Sequence, residues 1–588
     1  MKFVNTLIVC APAVSALWPI PQTYTHGDSV IFINQNTPIS YNGKQATLSS
    51  VSTNSFASAT YGSAANGSVT SAQIIGAAVQ RTYQTIFNQN YIPWKFHHRN
   101  SDFEPSSNSS GAVVKSIKLV QNASDPADVG RPLVGSVDES YTLDLTTDGS
   151  VVISGKSSQG IAHGLTTFTQ LFYKYSGGGA YTPLAPVSIT DAPKFPYRSL
   201  QMDVARNYYP VTDVLRMIDA AAYNKFNHFH LHATDSQSWP LEIPSLPNLT
   251  SLGAYRKDLI YSASDLQQIQ QYGATLGVEV VVEIDSPGHT ASIAYSRPDL
   301  IAAFNSQPDW DAYAAEPPSG TLKLNSPAVY DFLEQVYSDL LPRVKPYTSY
   351  FHTGGDEVKE SAYLLDDTVN SSSDAVLQPL VQKFVDRNHD QIRANGLHPL
   401  VWEEMLLQWN LTLGDDVLIQ TWESVTDSVA KTVAKGHKAL AGNYNYWYLD
   451  CGQGQWLDFY PNISASYWPY ADYCSPRKNW RLMYSYDPLA NVPANSTHLV
   501  VGGVVAIWSE QVDSANLDRM VWPRAGAAAE VLWSGAKDAS GQNRSQVTAS
   551  PRLSDMRERL LARGVMAEPI QMVFCLQDGE SCGEVNEG

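Results

Sequence analysis

The stretch Ala263-Ser-Asp-Leu-Gln-Gln-Ile-Gln-Gln-Tyr-Gly-Ala-Thr-Leu276-Gly277-Val278-Glu-Val-Val-Val-Glu-Ile284 decides the fold. Leu266, Ile269, Tyr272 and Leu276 recur three and four residues apart, the spacing of an amphipathic helix from Ala263 to Leu276. Val278 to Ile284 then reads as a short apolar strand. The same alternation runs onward from Pro196. Strands are expected at Ser199 to Val204, Asn227 to His232, Val278 to Ile284, Ser349 to His352, His398 to Trp402, Val417 to Trp422, Lys438 to Gly442 and Val501 to Trp508. Helical period is clearest in Val211 to Tyr223, Ala263 to Leu276, Ala328 to Leu341, Val376 to Ala394 and Met520 to Trp533. Alternating strands and helices of this kind build a (β/α)8 TIM barrel, here over residues 196–540. No clear helix follows strands five and seven, so Tyr444 to Tyr473 is expected as an elaborated loop.

Upstream, Ser140 to Leu145 and Ser150 to Ser154 alternate as strands around Asp148-Gly149, and Ser158 is placed to cap a helix from Gln159 to Tyr173. These point to a small α+β domain at 101–195. Asn100 to Gly111, rich in serine, asparagine and proline, reads as a linker or processing loop. That makes residues 17–100 a separable N-terminal segment or propeptide and leaves 541–588 as a C-terminal extension.

Composition narrows the class. Hydrophobic residues are 43%, aromatic residues 11% and charged residues 16% of the 588, as expected of a folded chain of more than one domain. The net charge of -18 repels phosphate backbones and argues against a nucleic-acid partner. Lys2, the apolar run Phe3 to Val14 and the small-residue pattern Val14-Ser15-Ala16 read as a signal peptide cut after Ala16. No later apolar run is long enough to span a bilayer, so the expectation is a secreted protein. Asn-x-Ser/Thr sequons at Asn66, Asn108, Asn122, Asn248, Asn370, Asn410, Asn462, Asn495 and Asn543 fit an exported glycoprotein. Once Cys10 leaves with the signal peptide, Cys451, Cys474, Cys575 and Cys582 remain. Proximity pairs the first two and the last two, although four cysteines allow three connectivities.

Residues foreign to an apolar core collect at the carboxyl ends of the expected strands, where barrel enzymes place their chemistry. Arg206 follows strand one, Asp235 strand two, His289 strand three, and Asp356 with Glu357 strand four. Trp402 and Glu403 follow strand five, Trp422 strand six, Tyr448 and Asp450 strand seven, and Trp508 with Glu510 strand eight. The strongest local signal is His352-Thr353-Gly354-Gly355-Asp356-Glu357, in which two glycines permit close backbone approach before two adjacent carboxylates. Neighbouring carboxylates repel, so one is expected to hold its proton as an acid while the other stays anionic.

This hexapeptide resembles the signature of glycoside hydrolase family 20. The resemblance extends through Asp203 to Pro210, His230 to Pro240, Glu283 to His289, Val401 to Glu404 and Gly502 to Asp513, and Gly160 to Leu171 is similar to the end of that family's small domain. The family implies an exo-acting β-N-acetylhexosaminidase whose substrate supplies the nucleophile, its own acetamido oxygen. Glu357 would be the general acid and later base, and Asp356 would hold the acetamido N–H. Tyr448 would donate to the acetamido oxygen, and Asp235 would orient His289 against Glu357. Trp402, Trp422 and Trp508 would wall the sugar and its methyl group, while Arg206, Asp450 and Glu510 would bind its hydroxyls. Glu403, Glu404 and Asp285 would be supporting residues. Ser236 departs from the family, where a second aspartate is common. The resemblance further implies chitooligosaccharides or glycans as substrate, gluco or galacto configuration, a homodimer, a retained propeptide, and no metal or cofactor.

Two other readings share the sequence. His228, His230 and His232 alternate on one strand and face one side, as in metal-dependent amidohydrolases, but strands five and six supply tryptophans where such sites need more ligands. Tryptophan-lined barrels also serve as non-catalytic sugar-binding proteins, for which an Asp356-Glu357 pair would be superfluous.

Overall fold

The computed structural model describes residues 17–45, 68–106, 111–423, 427–458 and 471–583. The expected signal peptide and the sequons at Asn66, Asn108 and Asn462 lie outside the described residues.

Eight parallel strands close into a barrel: β1 (Tyr197–Asp203), β2 (His228–His232), β3 (Glu279–Glu283), β4 (Tyr350–His352), β5 (His398–Trp402), β6 (Leu418–Gln420), β7 (Lys438–Ala441) and β8 (Val500–Ile507). Each strand pairs with the next in sequence, and β8 returns to β1 with Val504 opposite Ser199. All eight coincide with strands read from the sequence. On β3 the side chains alternate as a strand requires. Val280 and Val282 pack outward among the helices, while Val281 joins Tyr197, Tyr350, Leu400, Leu418, Leu440 and Val504 in the plug of the barrel interior.

The outer helices include Val211–Tyr223, Ala263–Thr275, Pro327–Val344 and Asp374–Ala394. The helix expected from Met520 to Trp533 is instead two pieces, Leu517–Val521 and Arg524–Ser534, because Pro523 disfavours helical backbone at the residue before it. After β5 stands the short helix Glu403–Leu407, and the described helices after β7 are also short, Tyr444–Trp447, Trp480–Tyr484 and the turn Thr497–Leu499, so neither connection shows a helical period. Cys451 is bonded to Cys474 in the β7 connection, and Cys575 to Cys582 near the C-terminus.

The N-terminal domain is a nine-stranded sheet covered by two helices, Ser71–Tyr83 and Ser158–Gln170. Here the expected division at residue 100 does not hold as a boundary of the sheet. Thr23–Ile33 runs antiparallel along Ala180–Asp191, and Ile39–Tyr41 pairs parallel with Ser116–Gln121. Ile31, Ile33 and Ile39 lie buried with Leu143 and Ile153 in one core. The second helix is capped by Ser157, whose hydroxyl accepts from Gly160 N at 3.0 Å, rather than by Ser158. It ends at Gln170, because Tyr173–Lys174 pairs as a strand with Ala180–Asp191.

The two domains share buried ion pairs. Arg198 at the start of β1 reaches Glu139 at 2.6 Å, and Lys225 reaches Asp191 at 3.1 Å. The C-terminal helix Gln546–Ala562 is tied to the barrel through Arg552–Glu530 at 2.7 Å, and Arg563, which follows it, reaches Asp219 at 2.8 Å.

Candidate active site

Strand β4 ends at His352, and the chain then turns through Gly354 at φ 70° and Gly355 at φ 104°. A Cβ on residue 354 would stand 1.7 Å from Asp285 Oδ1, and one on residue 355 would stand 2.7 Å from Met405 Cγ, so both positions require glycine. The turn is pinned by Gly355 N donating to Asp285 Oδ1 at 2.9 Å and by Trp402 N donating to Gly354 O at 3.1 Å. Its effect is to bury Asp356 and to carry Glu357, itself at φ 49°, into the open with 32% of its side chain exposed.

His289 stands between carboxylates. Its Nε2 is 3.3 Å from Glu357 Oε2 and 3.9 Å from Asp356 Oδ2, and its Nδ1 is 3.1 Å from Asp235 Oδ1. Burial disfavours a charged ring there, but Asp235 and Asp356 outweigh it and hold the imidazole pKa well above its usual range. Burial would likewise raise Asp235, yet Arg206 and His289 hold it below the ordinary carboxylate range. Arg206 NH2 lies 3.0 Å from Asp235 Oδ2.

Asp285 packs against Asp356, and burial together with Asp356 raises it well above the ordinary range. A proton on Asp285 donated to Asp356 accounts for two carboxylates packed side by side. Asp356 is itself raised, chiefly by burial, with Glu283 and Glu357 adding to the effect and His289 opposing it.

In front of Glu357 opens a cavity of about 600 Å³. Arg206, Asp356, Trp422, Tyr448, Asp450, Trp508 and Glu510 all line it, as the strand-end reading predicts. Trp422 stacks on Tyr448 with ring centroids 6.3 Å apart and planes at 18°. Its Nε1 donates to Glu404 and its backbone N to Glu403, both at 2.9 Å, so these two glutamates hold a wall rather than form one. Asp450 Oδ1 accepts from Trp508 N at 3.3 Å, and burial pushes its pKa up to about 7. Trp402 packs in the same cluster as Trp422 and Trp508 but does not line the cavity. It is fully buried behind Trp508, 6.1 Å away by centroid, with Nε1 donating to Glu283 Oε1 at 2.8 Å.

Several lining residues escaped the sequence reading, among them three that are acidic or aromatic and placed to meet a ligand. Glu316, 3.2 Å from Arg206, lies in the irregular connection after β3, and Trp456 and Tyr473 lie in the β7 connection. None of these stretches carries a period that would have located them. Glu283 offered a better signal, a charge inside an apolar run. It accepts from His230 Nε2 at 2.8 Å and His232 Nδ1 at 2.5 Å.

The three histidines of β2 do face the barrel interior, but at different levels. His228 stacks on Tyr197 at 3.8 Å and bonds Asn227, whereas His230 and His232 engage Glu283. His230, Glu283 and His352 have ligand atoms near enough to share an ion, as do His232, Asp235 and Asp285. In both groups the facing nitrogens of His230 and His232 are taken up by hydrogen bonds to those carboxylates.

Comparisons with known proteins agree with this geometry. The sequence model of the glycosyl hydrolase family 20 catalytic domain matches residues 195–536, and a second, described as beta-acetyl hexosaminidase like, matches residues 17–171. A beta-hexosaminidase of Arthroderma benhamiae is 40% identical over 97% of both chains. A chitooligosaccharidolytic beta-N-acetylglucosaminidase of Ostrinia furnacalis is 33% identical over 76% of this chain and 75% of its own. The chain also shares its fold with the Flavobacterium johnsoniae chitobiase, at TM-score 0.70 and 24% identity over 94% of this chain and 73% of that one. A family match spanning the whole barrel and a relative similar from end to end make the chain a member of glycosyl hydrolase family 20, a glycoside hydrolase with exo-β-N-acetylhexosaminidase activity.

Proposed function

We propose that the cavity removes a terminal β-linked N-acetylhexosamine from chitooligosaccharides, with the acetamido group of that sugar as nucleophile. In the first step Glu357 donates its proton to the leaving oxygen as the bond from that oxygen to C1 breaks, and the acetamido oxygen bonds to C1. In the second, water attacks C1 and gives a proton to Glu357, and the bond to the acetamido oxygen breaks. Asp356, backed by Asp285, accepts the acetamido N–H and balances the positive charge that develops on that group. Tyr448 donates its hydroxyl to the acetamido oxygen. Trp422 and Trp508 cover the apolar sugar face, and Trp402 backs them. Arg206, Asp450 and Glu510 hold the hydroxyls of a terminal residue.

The observation that carries this reading is the division of the carboxylate pair. Glu357 reaches the cavity beside His289, while Asp356 is buried against Asp285. A partly exposed acid at the cavity can meet a leaving group of varied structure, and a buried anion suits a fixed N–H. The substrate class follows the Ostrinia furnacalis relative. Export as a glycoprotein is supported by Asn122, Asn248, Asn370, Asn410, Asn495 and Asn543, all exposed, and by the absence among the described residues of a helix fit to cross a membrane.

The test compares aryl β-glycosides that differ only at C2. The acetamido sugar should be cleaved and the plain 2-hydroxyl sugar negligibly, and a thiazoline analogue should inhibit strongly. Trapping a glycosyl-enzyme bonded to a carboxylate would overturn the assignment.

A further inference from the structure

Behind the catalytic pair the contacts continue inward. Glu357, His289, Asp235, His232 and Glu283 form an unbroken series of carboxylate and imidazole contacts of 3.3, 3.1, 2.8 and 2.5 Å. The inner half is fully buried and draws on β2, its following loop and β3. We propose that His232 is a positioning residue for the acid–base step, a buried imidazolium that clamps Asp235 as an anion and so fixes His289 against Glu357. The proposal rests on the reading of Glu357 as the acid.

The charge follows from the geometry. Both ring nitrogens of His232 face carboxylate oxygens, Asp235 Oδ2 from Nε2 and Glu283 Oε2 from Nδ1. A neutral ring has one N–H and would turn a lone pair toward one of these oxygens. Glu283 is not the acid that relieves this, because Oε2 also accepts from His230 and Oε1 from Trp402. Nor is Asp235, which receives Ser236 N, His289 and Arg206 as well. Burial alone would strip the ring of its proton, but Glu283 and Asp235 together hold its pKa well above the usual range.

Asp285, just past β3, also has an oxygen within 4.8 Å of His232 and Asp235. The remaining face of His232 meets the edge of the Trp508 ring, 4.9 Å away by centroid at 76°. At the outer end, Glu357 and His289 are faced by Asp356, Glu316 and Arg206, and Lys359 lines the recess beside them. His230 supplies an internal comparison. It is on the same strand, equally buried, and bonds the same Glu283 oxygen, but has no contact with Asp235.

The experiment is the pH dependence of kcat and kcat/KM on a substrate with a poor leaving group, for His232→Gln, His230→Gln and Glu357→Gln. Removing a buried cation makes the remaining groups hold their protons to higher pH. His232→Gln should therefore move the alkaline limb upward by about half a pH unit or more, and lower kcat about tenfold with little change in KM. His230→Gln should keep the limb of the unaltered enzyme. Should His232→Gln not fold, neutron diffraction from the unaltered enzyme at neutral pH decides, with hydrogens expected on both ring nitrogens of His232. An unmoved limb in folded His232→Gln, an equal displacement in His230→Gln, or a singly protonated ring would overturn the proposal. Full turnover by Glu357→Gln would instead remove the acid assignment on which it stands.

Discussion

Gly354→Ala tests how the barrel builds its site. The new methyl group would sit 1.7 Å from Asp285 Oδ1 and 2.4 Å from its Cγ, so Asp285 must swing away. That breaks the bond from Gly355 N, a buried donor, at about 1–3 kcal/mol. The backbone at φ 70° adds about 1–2 kcal/mol for a residue with a Cβ. A total of about 2–5 kcal/mol is expected. Gly396→Ala isolates the backbone contribution, since Gly396 has φ 76° with nothing within 4 Å of its Cβ position, and should lose only the about 1–2 kcal/mol of conformation. Urea unfolding followed by tryptophan fluorescence measures both. Turnover separates them further, because the displaced Asp285 no longer backs Asp356, and misplacement on this scale should lower kcat about a hundredfold. Equal stability losses in the two variants, with Gly354→Ala still turning over within a few-fold of the unaltered enzyme, would refute the reasoning.

Asp356→Asn and Tyr448→Phe should each lower kcat by about a hundredfold with KM moving far less, and the double variant should be less than additive since both act on one group. A steep rise in KM at constant kcat would make them sugar-binding residues only. Asp450, with a folded pKa of about 7 against 3.8 for an unperturbed side chain, keeps a proton that the unfolded chain has released. Stability should therefore fall as pH rises from about 4 to 7, by less than about 4 kcal/mol because cavity water screens the charge, and Asp450→Asn should flatten that slope in thermal melts. Dialysis against EDTA should leave turnover unchanged, since Glu283 is engaged by His230, His232 and Trp402. Loss restored by zinc would favour the amidohydrolase reading.

The barrel was legible because its strands are short, mostly apolar runs buried on both faces, and because charged and aromatic residues collect just past their carboxyl ends. Local pattern therefore carried both the fold and the candidate catalytic residues. The N-terminal sheet was legible only where neighbours in sequence are neighbours in space, as in the hairpin of Tyr141–Leu145 with Ser150–Gly155. Thr23–Ile33 is mostly polar, and its partner Ala180–Asp191 lies far along the chain, so its place in the sheet depends on a pairing that no local pattern encodes.

The same distinction separates the tryptophans. Trp402 is the last residue of β5, so its ring turns into the barrel interior and meets Glu283, whereas Trp422 lies beyond the end of β6 and Trp508 just beyond β8, where the backbone is free to aim them at the cavity. A shift of one or two residues relative to the strand end thus converts a wall into a support. Sequence places strand ends only to within a residue or two, so it can assign such a residue to the site but not to a surface. Glu283 shows the converse. Its two neighbours in sequence, Val282 and Ile284, are buried apolar residues, and a carboxylate between them must find donors in the interior. Four side chains meet it there, those of His230, His232, His352 and Trp402, drawn from three other strands, so the carboxylate at the end of β3 is the group around which the mouth of the barrel is assembled.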